Sequence, residues 1–488
     1  MTRSLARGAW PTKAAVLVAA ALGLAACVIA DWPGHFPPDA ISQLAQGRAG
    51  LFNFWHPPLM AWLLGLADRL WPGAPLFFVM DAALLFAALT ALALIDGAGW
   101  GAAAATALIA ASPLVLIYQG LVVKDVLFAD VSLAAFAAIA WVGKLWPRPS
   151  ARAALIGLAL ALLTLAGLAR QNGAVVSAIG AATLAFVMTA RVSRPARGRI
   201  LALAGVGSLA AIGAAMWLTT GAFEAHGDGE PEQARQWMTL QLYDLAGAVE
   251  RDPNLPLPIL ADRAPALGRF VREKAAPAYD PTRVDSMVEL GSWRGFLETP
   301  DPAAGAQWRE LIARAPALYL ATRWADFRQV LATPNVDACA PVLVGVDPSD
   351  PEMLRQAGLV ARDTDKDDWD GDYASAFLGT PVFSHLTYAA LAAALLAWAI
   401  IDLRQGRLEL IATAGLLSAA FVFTASFFVI SIACDYRYLY FLDAAAMVAL
   451  VQRLALWRAR SLKQGGLRPP ERGRRSPPPR IRRRGPGR

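Results

Sequence analysis

Residues 31 to 59 read DWPGHFPPDAISQLAQGRAGLFNFWHPPL, a polar and proline-rich segment that directly follows the first long apolar run of the chain. Pro37 and Pro38 interrupt the preceding chain, and Asp39 then stands where a helix N-cap would stand, ahead of AISQLAQ. Gly47 and Gly50 bound a turn after this short helix. The stretch therefore predicts a helix close to the end of a membrane span, with Asp39 either as its cap or as a functional carboxylate.

The second half of the stretch is aromatic. Phe52, Phe54 and Trp55 precede the sequence HPP at 56–58. This composition is typical of a segment at the level of the lipid head groups. His56 is therefore either a member of that aromatic belt or a functional side chain.

Composition identifies the class of protein. Of the 488 residues, 56% are hydrophobic and 17% are charged, and the mean hydropathy is +0.42. Such a chain is too apolar for a soluble enzyme and is typical of a multi-span membrane protein in a lipid bilayer. It contains no Walker A loop, nucleophile elbow, zinc-binding His-x-x-x-His pair or Rossmann glycine fingerprint, which excludes nucleotide hydrolysis and hydride transfer. We expect no nucleic-acid partner.

Ten apolar runs are long enough to cross a membrane as helices. They comprise residues 14–30, 77–95, 101–117, 126–142, 153–169, 174–190, 200–219, 382–401, 408–430 and 438–454. Residues 57–72 are shorter and carry Asp68 and Arg69, so a re-entrant or interfacial helix is predicted there. The expected fold is an α-helical multi-span membrane protein of about ten transmembrane helices, with interfacial loop helices and one extracytoplasmic, mainly helical domain.

The distribution of Lys and Arg predicts the orientation in the membrane. Basic residues cluster at 144–152, 191–199 and 404–407 and in the C-terminal segment, whereas the alternate loops carry few of them. By the positive-inside rule, both termini of this multi-pass protein are cytoplasmic in a bacterial inner (plasma) membrane. Residues 31–76 and 221–379 are then extracytoplasmic.

The chain divides by composition into four parts. These are a membrane module (1–220) that contains the loop 31–76, an extracytoplasmic domain (221–379), C-terminal transmembrane helices (380–454) and a basic, disordered cytoplasmic tail (455–488) that contacts anionic lipid. In the domain, Pro316 splits the helical pattern of residues 307–331 into two amphipathic helices. Residues 362–372, RDTDKDDWDGD, lack the glycine and the terminal Glu of a calcium loop, which predicts a solvated acidic loop.

The three cysteines are Cys27, Cys339 and Cys434. Their spacing is neither that of a metal site nor that of a disulfide framework, so no structural disulfide is expected. Leu24-Ala25-Ala26-Cys27 is similar to a lipoprotein cleavage box, but the apolar run continues beyond it, which favours an uncleaved anchor.

Several ionisable residues stand at the outward ends of the predicted spans. They are Asp39, His56, Lys124, Asp125, Arg170, Asp435 and Arg437. Ionisable residues at membrane depth are expensive and favour a function. Basic side chains can hold phosphate oxygens there, and a carboxylate can remove a proton from a hydroxyl. Lys124 and Asp125 could instead pair with each other, and Asp435 could pair with Arg437.

The order of these features resembles a family. The first span, PPDAISQLAQG, HPPL at 56–59, a Lys-Asp before span four and DYRYLY at 435–440 together resemble the GT-C superfamily of polyprenyl-phosphate-sugar-dependent glycosyltransferases. Aminoarabinose transferases of lipid A and protein O-mannosyltransferases, of glycosyltransferase family 39, have a similar layout. The resemblance implies that Asp39 is the catalytic base and that Arg437 and Arg170 contact the donor phosphate. We expect Lys124 to bind the donor phosphate with them.

In the resemblance Asp125 matches a recurrent acid without a settled role, and we expect supporting or acceptor-side roles for His56, Asp125 and Asp435. Many relatives have an Asp-Glu pair where this chain has Asp39-Ala40, so no metal ligand set is assigned and participation of a divalent cation is left open. The expected function is an inverting transfer of a sugar from a polyprenyl-phosphate donor to an envelope glycan, lipid or protein. Two alternatives stay open: a transporter or flippase of a lipid-linked anion, which would favour ionisable residues buried within the spans, and a non-catalytic envelope scaffold.

Overall fold

The computed structural model describes residues 2–95, 97–229 and 231–465. The first ten helices are α1 Thr2–Asp31, α2 Pro38–Ala49, α3 Pro58–Leu70, α4 Pro75–Leu94, α5 Trp100–Ala110, α6 Pro113–Gly120, α7 Lys124–Lys144, α8 Pro149–Ala169, α9 Gly173–Thr189 and α10 Arg194–Glu224. The chain is a helical, multi-span membrane protein, as its composition predicts.

Ten further helices follow between residues 232 and 375, and the last three belong to the membrane bundle. The ten are α11 Glu232–Arg251, α12 Pro258–Arg263, α13 Pro265–Phe270, α14 Asp285–Val288, α15 Gly291–Glu298, α16 Pro302–Arg314, α17 Pro316–Ala332, α18 Val336–Cys339, α19 Pro351–Ala357 and α20 Asp365–Ser375. The last three are α21 His385–Arg404, α22 Ile411–Ile430 and α23 Tyr440–Gly465. We call residues 221–379 the loop domain.

The sequence predicts about ten spans, and the described chain comes close to that count. Eight helices are long and apolar enough to cross a membrane, or nine if α5 and α6 are taken as one span. These two helices meet at an angle of 58° because the chain is interrupted at Ser112-Pro113, where proline cannot continue a helix. The predicted sixth span is α9, which has only 17 residues. The predicted interfacial helix at 57–72 is present as α3.

The centre of the bundle is formed by α7 and α23. These are the most deeply buried of the spanning helices, and both contact α4 and α22 as well as each other. The N-terminal ends of α7 and α23 carry Lys124, Asp125 and the Arg437 segment, so the packing of these two helices brings distant parts of the sequence to one place. The predicted tail overlaps the end of α23, which continues to Gly465; residues 466–488 lie outside the described residues.

A close contact between α2 and α3 fixes the loop that carries Asp39. A β-carbon at Gly47 would lie 2.1 Å from the carbonyl oxygen of Ala61, and one at Gly65 would lie 2.4 Å from the carbonyl oxygen of Gly47. Only glycine allows the two backbones to approach so closely. Arg48 at the end of α2 also donates two hydrogen bonds to Asp68 of α3, at 2.9 and 2.8 Å.

The loop domain has two packing regions. Helices α11 to α16 surround a core that includes Tyr243, Phe270 and Trp293. Residues beyond α17, such as Val346 and Leu354, are instead part of the core of the membrane bundle. Pro316 separates α16 from α17, as predicted for residues 307–331.

Two predictions about the loop domain are wrong. Cys339 and Cys434 form a disulfide, although they are 95 residues apart. Sequence spacing could not show this pairing, because the two cysteines meet only when the loop domain packs beside the start of α23. Residues 362–372 are not a solvated loop: Thr364 and Asp367 form a capping box that starts α20, and Asp367 and Asp370 are buried.

The disulfide gives a test of the predicted orientation. We expect the Cys339–Cys434 bond in protein from intact membranes, because disulfides persist in oxidising compartments such as the periplasm. After denaturation, a thiol reagent should label only Cys27 without reductant and all three cysteines after reduction.

Reporter fusions test the same orientation. A reporter fused at Ala303 should show an extracytoplasmic position, and one fused at Arg474 a cytoplasmic position. An active cytoplasmic reporter at Ala303 would contradict the orientation.

Candidate active site

Asp39 lies in the first turn of α2, where Pro37 takes the N-cap position. The helix-cap alternative for Asp39 is therefore wrong. Its Oδ2 atom accepts a hydrogen bond from Arg437 Nη2 at 2.7 Å, and its Oδ1 atom lies 3.4 Å from His56 Nε2. The side chain remains 32% exposed, so the carboxylate can be reached by a substrate.

Lys124, the first residue of α7, completes one side of this group. Its Nζ lies 3.1 Å from His56 Nδ1 and 3.9 Å from Asp39 Oδ2. An ammonium group can only donate, so His56 Nδ1 accepts and the proton of the neutral ring is on Nε2, facing Asp39. Lys124 does not pair with Asp125, and the alternative of a mutual ion pair is wrong.

Asp125 pairs instead with Arg170, which follows α8. Asp125 Oδ1 and Arg170 Nη1 are in direct contact, and both side chains are almost fully buried. The guanidinium of Arg170 also lies 5.3 Å from the ring centre of Phe427 and 5.2 Å from that of Tyr438. Charge and ring faces together hold this arginine in an orientation that an ordinary surface arginine would not keep.

Arg437 connects the two halves of the site. It lies in a short 3₁₀ helix, Tyr436–Leu439, and its Nη2 donates to Asp435 Oδ2 at 2.9 Å as well as to Asp39. Its Nε lies 3.9 Å from Asp125 Oδ2. The predicted Asp435–Arg437 pair is thus present, but Arg437 also faces two other carboxylates.

The buried ring of Tyr436 supports this 3₁₀ turn. It stacks on His385 with ring centres 3.8 Å apart and meets Tyr118 and Phe383 edge-on. His385 is in turn held by Asp443 at 2.9 Å. These contacts fix the backbone immediately before Arg437.

Arg283 of the loop domain is a further charged residue at the site, and the sequence prediction missed it. Its Nη2 lies 3.6 Å from Asp435 Oδ1. The chain around Arg283 is attached to the segment before Asp435 by two backbone hydrogen bonds, Val284 N to Ile432 O and Cys434 N to Thr282 O, both at 2.9 Å. Nothing in the local sequence of Arg283 indicates this position.

All seven predicted site residues therefore belong to one connected network. They are Asp39, His56, Lys124, Asp125, Arg170, Asp435 and Arg437. The network contains three carboxylates, the guanidinium groups of Arg170 and Arg437, the amine of Lys124 and the imidazole of His56. The contacts place these side chains together, and their chemical roles stay predictions.

Electrostatics keeps Asp39 ionised and His56 neutral. Burial raises the pKa of Asp39, but the charge of Arg437, the hydrogen bond from His56 and the charge of Lys124 together bring this pKa well below its usual range. Burial and the charge of Lys124 lower the pKa of His56 to about 4. At neutral pH the group is therefore a carboxylate between a guanidinium and an imidazole N–H donor.

A cavity of about 320 Å³ opens beside Arg170. Its walls are mostly apolar and come from the loop 54–59, from α8 to α10 and from the start of α11; they include Phe54, Leu168, Met216 and Phe223. A second cavity, of about 330 Å³, is lined by Lys144, Arg191 and Glu409 and by none of the site residues. Only the first cavity is continuous with the charged network.

One group among the described residues has side chains close enough to hold a metal ion: Asp31, His35 and Asp370, all buried. However, His35 Nδ1 accepts a hydrogen bond from the backbone N–H of Gly345 at 2.9 Å. The ring proton is then on Nε2, which lies 3.3 Å from Asp31 Oδ1. A nitrogen that carries a proton cannot bind a metal, so His35 acts here as a hydrogen-bond donor that joins α1 to the loop domain.

Comparison with known proteins gives only distant likenesses. No protein-family model and no curated protein sequence matches the chain. Among solved structures, it is similar to the archaeal oligosaccharyltransferase AglB from Archaeoglobus fulgidus, in complex with an inhibitory peptide and a dolichol-phosphate, with a TM-score of 0.39 and 13% identity over 92% of this chain. The match covers 52% of the AglB chain, so the present chain spans about half of its length.

A second similar structure is ArnT from Cupriavidus metallidurans bound to undecaprenyl phosphate. The TM-score is 0.33 and the identity 14%, and the match covers 91% of this chain and 78% of that chain. The apo state of the same ArnT gives the same values. At these values the comparisons assign no residue role, and the site is argued below from its own geometry.

Proposed function

We propose that this protein is an inverting membrane glycosyltransferase that moves a sugar from a polyprenyl-phosphate donor to an extracytoplasmic envelope acceptor. The observation that carries the proposal is the contact of the exposed Asp39 carboxylate with Arg437, 2.7 Å away, beside an apolar cavity that ends at Arg170. A candidate base, two cations that could hold a phosphate and an apolar cavity that could take a lipid chain are thus next to each other.

The donor is proposed to bind between the cavity and the arginines. A polyprenyl chain is apolar and would lie along Phe54, Met216 and Phe223, while its phosphate would face Arg170 and Arg437. A guanidinium presents several N–H donors in one plane and can hold two phosphate oxygens at once. Lys124 adds a third positive group, 3.9 Å from Asp39. The proposed partner is therefore a lipid-linked phosphosugar.

In the proposed reaction, the acceptor hydroxyl gives its proton to Asp39 while its oxygen attacks the anomeric carbon. The bond between that carbon and the phosphate oxygen breaks, and its electron pair leaves with the polyprenyl phosphate. Arg437 and Arg170 stabilise the charge that develops there. A single displacement of this kind inverts the configuration of the sugar.

The low pKa of Asp39 makes it a weak base as long as Arg437 is fully engaged with it. A bound donor phosphate would draw part of the positive charge of Arg437 to itself, which raises the pKa of Asp39 and strengthens it as a base. His56 would keep Asp39 oriented through its Nε2–H, and Asp125 and Asp435 would orient Arg170 and Arg437. The binding of the donor thus activates the base.

This coupling predicts the pH dependence. For kcat/KM, which reports the free enzyme, no ionisation of Asp39 or His56 should appear above about pH 5, because the pKa of Asp39 is well below its usual range and that of His56 is about 4. The acid limb of kcat, which reports the complex, should lie at higher pH. Steady-state rates from pH 4 to 8 measure both, and an acid limb of kcat/KM near the ordinary histidine value would contradict the assignment.

Arg437→Lys is predicted to weaken the use of the donor strongly. Arg437 uses Nη2 for both Asp39 and Asp435, and its Nε has no hydrogen-bond partner among the described residues and would hold a phosphate oxygen. Lysine keeps the charge but has a single nitrogen, so it cannot hold the carboxylates and the phosphate from separate donors of one planar group. Titration of the lipid-linked donor with purified protein in lipid measures the change in KM. Arg48→Lys is the matched control, since Arg48 also holds a carboxylate, Asp68, through two hydrogen bonds but is not part of the site network. An unchanged donor dependence in Arg437→Lys would refute the phosphate assignment.

The function itself is tested in cells. Envelope glycans, lipids and glycoproteins of a deletion strain should lack one sugar modification, which returns with the wild-type gene and stays absent with an Asp39→Asn gene. Mass spectrometry identifies the sugar and the acceptor together. Loss of the modification with the lipid-linked sugar accumulating only on the cytoplasmic face of the membrane would support a flippase instead, and an unaltered envelope would refute the proposed transfer.

A further inference from the structure

Two carboxylates are buried within the membrane bundle, and the sequence prediction did not single them out. Asp81 of α4 is 2% exposed and Asp130 of α7 is fully buried. Each is the seventh residue of its helix, about 9 Å along the axis from the first residue. The two helices pack against each other, and the charges of the two carboxyl groups act on one another.

A glutamine amide completes the cluster. Gln119, in the last turn of α6, donates from Nε2 to Asp130 Oδ2 and to the Tyr440 hydroxyl, both at 3.0 Å. Its Oε1 atom is buried without a hydrogen-bond partner, and so are Asp81 Oδ1 and Asp130 Oδ1. Three buried oxygen acceptors therefore share one region and have no donor among the described residues.

No positive charge compensates this cluster within the described part of the chain. Neither Asp81 nor Asp130 has an Arg, Lys or His partner there, and the other polar groups that face them are Tyr440 of α23 and Cys27 of α1. Asp443 of α23 is equally buried but is paired with His385. Two buried carboxylates whose charges act on one another, away from water, are strongly unfavourable, so the pair requires positive charge from solution.

We propose that Asp81 and Asp130, with the amide oxygen of Gln119, form a proton-binding site inside the membrane bundle that stays protonated at neutral pH. A carboxyl O–H supplies the donor that the three bare oxygens lack, and two neighbouring carboxyl groups can share one proton. A divalent metal would need about six oxygen ligands, whereas the cluster offers three. The site is separate from the glycosyl-transfer chemistry and does not depend on the function proposed above.

A hydrophobic carbodiimide, dicyclohexylcarbodiimide, tests the proposal on the wild-type protein. It reacts with a carboxyl group that carries its proton: the O–H adds across one C=N bond, the oxygen joining carbon and the proton joining nitrogen, and rearrangement leaves a stable acylurea. Full-length protein in lipid, at pH 7 and without sodium, is treated and its peptides are analysed by mass spectrometry. We expect an adduct on Asp81 or Asp130 and a weaker one on Asp443, whose carboxyl oxygens are engaged by His385 Nδ1 at 2.9 Å.

Asp81→Asn with Asp130→Asn should remove the adduct completely, and asparagine keeps the shape of the side chain, so a thermal melt should show a folded protein. If that variant does not accumulate in cells, the labelling of the wild-type protein alone still tests the proposal. Absence of an adduct at both aspartates, or equal labelling of Asp443, would overturn the proposal. Protection by added sodium at constant pH would also overturn it, because the site would then bind a metal cation in place of a proton.

Discussion

Asp39→Asn is expected to abolish glycosyl transfer while the protein still folds. Asparagine has nearly the same shape and can still accept the hydrogen bond from Arg437 through its single oxygen, but its NH₂ group then faces His56 Nε2, and it cannot take up a proton. Loss of a general base typically lowers the rate about 10²–10⁴-fold. Because Asp39 is not a helix cap, no comparable loss of stability should accompany the loss of rate.

The measurement is single-turnover transfer with saturating donor, together with a thermal melt of each purified protein in lipid. Asp68→Asn is the matched control. Like Asp39, Asp68 pairs with an arginine, in this case Arg48 at the C-terminal end of α2, but it lies outside the network of the site. The control should retain the wild-type rate. A well-folded Asp39→Asn protein with a near-normal rate would remove Asp39 from the mechanism.

Arg323→Met is expected to destabilise the attachment of the loop domain to the membrane bundle by about 3–5 kcal/mol, the range found when one partner of a buried ion pair is removed. Arg323 is fully buried and donates to Asp244 at 2.6 Å. It also donates to the backbone oxygens of Phe428 and Ser431, at 3.0 and 2.6 Å, at the C-terminal end of α22. Its removal leaves two buried carboxylates, Asp244 and Asp326, without their cationic partner, and these carbonyl groups without their donor.

Limited proteolysis and thermal unfolding of full-length protein in lipid measure this effect, with cleavage expected first in the loop domain. Arg314→Met is the control, because Arg314 pairs with Glu310 at the surface, with a side chain 80% exposed, and should leave stability nearly unchanged. Asp244→Asn combined with Arg323→Met should recover part of the loss, since it removes one of the two carboxylates that lose their cationic partner; Asp326 remains. Equal resistance of wild type and Arg323→Met to protease would show that the attachment does not depend on this arginine.

Some of the site could be predicted from local sequence. Asp39 and His56 stand out because ionisable groups next to a long apolar run are rare, and Arg170 and Arg437 because outward loops carry few basic residues. Which of these groups touch could not be predicted. Arg437 meets Asp39 across 398 residues of sequence. Local sequence gave two wrong alternatives for the same residues, a cap for Asp39 and a mutual pair for Lys124 and Asp125, since short-range partners are the only ones it can indicate.

Composition and run length are enough to establish the membrane class, the positions of the apolar helices and the loop that carries Asp39, because the transfer of long apolar runs out of water depends on these two properties alone. The remaining contacts depend on how the helices pack. That packing joined Cys339 to Cys434, brought Arg283 to Asp435, and placed Asp81 near Asp130. These pairs form only when helices distant in sequence pack together, and their energies depend on burial and on the identity of the neighbour, neither of which a single stretch of sequence contains.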